Sequence, residues 1–188
     1  MADKPLSGRR VLAIVTNYGV EQDELIVPTE RLRGDGAEVT VAAAEDRPIH
    51  TLVNDKDPGQ VVQPNATFAE VDPADYELLL IPGGTVNADT LRLDDKAIGM
   101  VQSFASSGRP IAAICHGPWS LVEADVIGGK ALTSYVSLRT DIQNAGAASW
   151  TDQPVVRDDA EGYTLVTSRT PDDLDHFLAE IGTTLRSS

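Results

Sequence analysis

Apolar runs of strand length alternate with segments whose apolar residues recur at helical spacing. Residues 10–16 (RVLAIVT) form an unbroken apolar, β-branched run, as a strand buried on both faces requires. Residues 39–43, 78–81, 111–114 and 164–167 repeat that pattern. Between them, residues 21–33 place Leu25, Ile26 and Leu32 on a helical stripe among charged neighbours, with Gly34 and Gly36 as stops. Residues 94–107 read as a helix capped by Asp94 and ended by Gly108, and another helix starts at Pro118. The last helix starts at Pro171 and carries Leu174, Phe177, Leu178, Ile181 and Leu185 on one face. This rhythm predicts an α/β fold, a mostly parallel sheet with helices on both faces. Residues 44–64 hold Pro48, Pro58, Gly59 and Pro64, which predicts an excursion with a small extra hairpin pairing 50–53 with 60–63. No composition break divides the chain, so 1–188 reads as a single domain with frayed ends at 1–8 and 186–188.

The chain has 188 residues, 41% of them hydrophobic and 23% charged, enough to bury a core without staples. Its 15 Lys and Arg against 29 Asp and Glu give a net charge of −14. That balance argues against nucleic acid or an anionic membrane as main partner. One cysteine excludes an internal disulfide and, with three histidines, a Cys₄ or Cys₂His₂ zinc site. No dinucleotide fingerprint is present, and Gly129-Lys130 is followed by Ala131 rather than Ser or Thr, so there is no P-loop. No metal and no cofactor are therefore expected. No apolar run is long enough for a membrane span and the N-terminus carries no secretory pattern, so the expected compartment is the cytosol.

In open α/β sheets, ligands bind beyond the carboxyl ends of the strands. Three segments fall there: Gly19 to Glu21, Pro82-Gly83-Gly84 and Cys115-His116-Gly117. A strand running directly into a helix with Cys at the corner has the outline of a nucleophile elbow. Gly117 permits the tight turn, and a helix N-terminus nearby favours a thiolate. His116 is placed to move a proton, and backbone amides of His116, Gly83 or Gly84 could form an oxyanion hole. The alternative is a buried, inert cysteine. Glu21 is either a first-turn complement to the helix dipole or a carboxyl sharing a hydrogen bond with Cys115. Asp89 alone reads as a helix cap, while His50 and His176 sit near no catalytic-looking turn.

The run 113–118 (AICHGP), with Ile81-Pro82-Gly83-Gly84 upstream, resembles the ThiJ/PfpI superfamily, whose fold is that of class I glutamine amidotransferases. Val20-Glu21-Gln22-Asp23-Glu24-Leu25 with Pro28, Thr133-Ser134-Tyr135, 141–146 (DIQNAG) and 167–174 (TSRTPDDL) resemble its PfpI subfamily of intracellular proteases and general stress proteins. The resemblance implies a flavodoxin-like three-layer sandwich assembled as a homodimer or hexamer with its active site at the interface. It matches Cys115 to the reactive cysteine, His116 to its neighbour, Glu21 to a protonated glutamate touching the sulfur, and Tyr135 to a tyrosine at the pocket mouth. It matches Asp89 to an acid, usually Glu, that a neighbouring subunit contributes to a Cys-His-acid triad. Asp is one methylene shorter, and the loop from Gly84 to Asp89 is one residue longer than usual.

Three functions follow. A Cys115 thiolate could act on reactive carbonyls, as in glyoxalase-like or deglycase-like chemistry. The same cysteine could hydrolyse peptides or amides with Asp89 orienting His116. It could instead serve as a peroxide sensor or chaperone switch, oxidised to sulfinic acid with no second cysteine to resolve it.

Overall fold

The computed structural model describes residues 4–187. Its strands are β1 (Arg10–Val15), β2 (Tyr18–Glu21), β3 (Glu38–Ala43), β4 (Ile49–Val53), β5 (Asp57–Val62), β6 (Ala66–Thr67), β7 (Leu78–Ile81), β8 (Ile111–Ile114), β9 (Ala131–Leu132), β10 (Ser149–Trp150), β11 (Val155–Asp158) and β12 (Leu165–Ser168). Its helices are α1 (Gln22–Gly34), α2 (Thr85–Leu91), α3 (Asp95–Ser106), α4 (Trp119–Glu123), α5 (Arg139–Asn144) and α6 (Leu174–Ser187). The main sheet runs β11-β12-β8-β7-β1-β3-β6, parallel throughout except for the antiparallel β11–β12 edge. This is the expected flavodoxin-like sandwich.

Strand alternation explains the two layers. Val11, Ala13, Val15, Leu78, Leu80, Ala112 and Ile114 face one side, where Leu25 and Leu32 of α1 and Phe177, Ile181 and Leu185 of α6 cover them. Leu12, Ile14, Leu79, Ile81, Ile111 and Ala113 face the other, under Met100, Val101 and Phe104 of α3 and Leu121 of α4. Each such side chain, fully buried, stabilises the fold by roughly 1.5–3 kcal/mol. Asp94 caps α3 as expected, accepting from the N–H groups of Lys96 and Ala97 at 2.9 and 3.0 Å.

The excursion after β3 is the hairpin β4–β5, which joins β2 in a separate three-stranded sheet. Its register pairs His50 with Val61 and Val53 with Asp57. The expected fraying is absent from the described parts of both ends. Leu6 is buried and its N–H donates to Asp35 O at 2.9 Å, while residues 186 and 187 continue α6. Residues 1–3 and 188 lie outside the described residues. Among the described residues no helix is long and apolar enough to cross a membrane.

Candidate active site

Strand β2 and the ends of β7 and β8 meet closely enough that glycine is obligatory there. A Cβ added to Gly84, whose φ is +81°, would sit 2.3 Å from Gly19 O; one added to Gly117 would sit 2.5 Å from Ile81 O. Cys115 follows β8 with φ +60°, a left-handed conformation that costs a non-glycine residue about 1–2 kcal/mol. Its backbone is tied on both sides: the N–H donates to Ser168 O at 3.1 Å and the C=O accepts from Tyr135 N at 2.9 Å. This is the strained elbow that the sequence suggests. Gly117 shapes it from beneath and does not line the pocket.

The glutamate at the sulfur is Glu24, which corrects the expectation for Glu21. Residue 24 shares a helical stripe with Pro28 and Leu32, each four residues on along α1's buried face, so its carboxyl points inward. One oxygen, Oε2, accepts from Gly83 N at 2.8 Å; the other, Oε1, is buried without a hydrogen-bond partner, and the carboxyl interacts with the Cys115 thiol. Burial above all lifts Glu24 from 4.5 to about 8, so it is protonated at neutral pH and can donate to sulfur. Glu21 instead clasps the hairpin tip, accepting from Asn54 N at 3.0 Å and Asp55 N at 2.9 Å. The signal for Glu24 was present in the sequence as an acid in register with an apolar stripe.

His116 is buried, with Nδ1 3.1 Å from Cys115 Sγ. Its Nε2 lies 3.3 Å from both Thr85 Oγ1 and Ser137 Oγ, and its ring stacks on Tyr135 with centroids 4.7 Å apart. Burial lowers its pKa, opposed by the Asp55 carboxylate, so the imidazole is neutral at rest. Burial likewise pushes the Cys115 thiol up, with Glu24 as the next cause. Burial thus opposes the thiolate that a helix end would favour. A proton on Glu24 removes the opposing charge, and His116 Nδ1 is in reach to take the thiol proton.

The expected oxyanion donors separate. Gly83 N is committed to Glu24, whereas Gly84 N is directed at the sulfur. No protein acceptor among the described residues takes the backbone N–H of His116. Asp89 lies in α2 rather than capping it; its side chain is exposed, and within the described chain no hydrogen bond or ion pair joins it to His116. The pocket above Cys115 has a volume of about 390 Å³ and is lined by Glu21, Glu24, Asp55 and Asp172, with Tyr135 at its wall and no Lys or Arg. Among the described residues no cluster of three His, Cys, Asp or Glu side chains could hold a metal ion.

A family model described as the DJ-1/PfpI family matches residues 9–184. The chain is similar to General stress protein 18 of Bacillus subtilis, 37% identical over 169 residues that cover 90% of this chain and 94% of that one. It is similar to Deglycase PfpI of Pyrococcus furiosus, 38% identical over 160 residues, covering 85% and 90%. Among solved structures, Drosophila melanogaster DJ-1beta superposes with a TM-score of 0.83 at 30% identity, covering 96% of this chain and 91% of that one.

Proposed function

The chain belongs to the DJ-1/PfpI family, and from that premise we propose that it is a cysteine-dependent enzyme acting on small reactive carbonyls, with methylglyoxal as the test substrate. The observation that carries this reading is the sulfur's setting: a strained elbow, His116 Nδ1 at 3.1 Å and a buried, proton-bearing Glu24 beside it. Relatives named for deglycase activity and for general stress point the same way. The carboxyl-lined pocket repels anions, which favours a neutral dicarbonyl.

Cys115 passes its proton to His116 as sulfur adds to the aldehyde carbon. The C–S bond forms while the carbonyl π pair moves to oxygen, which takes a proton from Glu24. Glu24, now a carboxylate, removes the C–H proton of the hemithioacetal while the His116 imidazolium protonates the neighbouring carbonyl oxygen, giving an enediol; Glu24 returns its proton to that neighbouring carbon and takes up the hydroxyl proton as the thioester carbonyl forms. Water then cleaves the lactoyl thioester, releasing lactate and the thiol. Gly84 N and His116 N are the donors nearest the developing oxyanion. We place the reaction in the cytosol, where a free thiol stays reduced.

The test is lactate formation from methylglyoxal. Wild type turns it over, and Cys115→Ser abolishes turnover with the fold intact. Absence of lactate from a folded wild type overturns the reading.

The same proton on Glu24 favours a second reading. Two equivalents of hydrogen peroxide would convert Cys115 to sulfinic acid with release of two waters, and Glu24 would donate to a sulfinate oxygen. Mild peroxide then adds two oxygens to Cys115 in the intact protein, read by mass. An unmodified cysteine removes this reading. Amide hydrolysis through Asp89 would need a second copy of the chain, in a homodimer or hexamer. The exposed Tyr18, Val86 and Leu93 around α2 are the apolar residues such a contact would cover.

A further inference from the structure

The hairpin β4–β5 reaches into the site and brings an acid from the same chain to His116. At its tip Asn54 and Asp55 both adopt left-handed backbone, with φ of 55° and 57°. Glu21 holds that tip through both backbone N–H groups, and Gln22 Oε1 adds a contact to Gln60 N at 2.9 Å. The Asp55 carboxylate so placed accepts from Thr85 N at 2.7 Å and from Thr85 Oγ1 at 2.8 Å. Thr85 has spent its proton on Asp55, so its oxygen can only accept from His116 Nε2 at 3.3 Å. Nε2 then carries the hydrogen, which the Ser137 hydroxyl, also 3.3 Å away, can accept equally, and Nδ1 presents its lone pair to the Cys115 thiol.

We propose that Asp55, acting through the Thr85 hydroxyl, is the positioning acid of His116, supplied in cis by the hairpin tip rather than by Asp89 of another copy. It fixes the imidazole tautomer that can accept the thiol proton, and it faces the imidazolium that forms. The polarity of the chain is what matters. In Asp55→Asn the amide oxygen still accepts from Thr85 N, so the end of α2 stays capped. The amide NH₂ then donates to Thr85 Oγ1, freeing that hydroxyl to donate to Nε2. The hydrogen moves to Nδ1, which then faces sulfur with no lone pair to offer. The other titratable groups facing this arrangement are Glu21 and Glu24 from the start of α1, Tyr135, and Asp172 from the turn before α6. All are unchanged in the variant.

The inference rests on Cys115 and His116 being the reactive pair, but not on methylglyoxal being the substrate. The test is therefore the pH dependence of Cys115 alkylation by iodoacetamide in the full chain, followed by mass. Asp55→Asn is expected to move the midpoint up by about 1 pH unit or more and to slow alkylation roughly tenfold at neutral pH. Its thermal unfolding should change little, because the cap is kept. Thr85→Val should shift the profile likewise, and Thr85→Ser should recover most of that shift. A profile unmoved in both Asp55→Asn and Thr85→Val overturns the proposal, as does one that moves with Asp89→Asn alone. A wild type that alkylates as expected but makes no lactate ends the carbonyl reading and leaves the role of Asp55 supported.

Discussion

One buried carboxyl sets the chemistry of the sulfur. Glu24 is raised to about 8 mainly by burial, against 4.5 for an exposed glutamate. It therefore keeps its proton in the folded chain while the unfolded chain ionises. The contribution of this group to stability is full below about pH 4.5 and is lost as pH rises toward 8, by up to about 1.4 kcal/mol per unit. Glu24→Gln should flatten that decline, gaining on wild type in denaturant midpoint at pH 8 relative to pH 5; parallel curves would show that Glu24 is ionised in the fold. Steric limits act at the same scale. Gly117→Ala would drive a Cβ to 2.5 Å from Ile81 O and is expected to cost about 2 kcal/mol or more in equilibrium unfolding. Motif position points to Glu21, the residue next to the strand end, as the acid at the sulfur. Helical periodicity decides otherwise, turning residue 24 inward and leaving residue 21 at the helix cap.

At the scale of elements, the legible parts were those fixed by local chemistry. Strands β1, β7 and β8 are continuous apolar runs, α3 opens on a capping Asp, and Cys115 stands between a strand and Pro118. Helix α2 was missed because it is only seven residues long and starts without a side-chain cap of its own; its first N–H is met by Asp55 from the hairpin, thirty positions away. The roles of Thr85 and Asp55 were hidden for the same reason, since long-range contacts leave no periodic trace. The hairpin was expected, but its placement depends on Glu21. Glu21→Ala removes the acceptor of two backbone N–H groups at the tip. Hydrogen exchange at Asn54 and Asp55 should quicken, and stability should fall by about 1.5–3 kcal/mol, as for hydrogen bonds to charged groups. Unchanged protection at those amides would mean that the turn holds itself.

Across the whole molecule, a buried ammonium ties the edge of the fold together. Lys130 is fully buried; its Nζ lies 3.5 Å from Asp158 Oδ1 and 3.9 Å from the centroid of the Tyr163 ring, and it donates to the carbonyls of Ala160 and Tyr163. Burial lowers its pKa, with Asp158 opposing. The sequence shows only a Gly-Gly-Lys turn there, because the partners lie some thirty residues downstream. Lys130→Met would leave Asp158 its bonds from the N–H groups of Ala131 and Ala160 but without its cation, and two carbonyls without their donor, and should cost about 3 kcal/mol in denaturant unfolding; a loss below about 1 kcal/mol would show the clamp to be dispensable. Pocket, hairpin and elbow all rest on the parallel sheet, and they converge on one claim, that Cys115 adds to a carbonyl and Glu24 then moves the C–H proton. Proton NMR of lactate formed from methylglyoxal in D₂O tests this most directly. The expected result is lactate that keeps protium at C2 from wild type, because Glu24 returns the proton it removed, and no lactate from Cys115→Ser. Equal lactate from both proteins, or none from wild type, would contradict it.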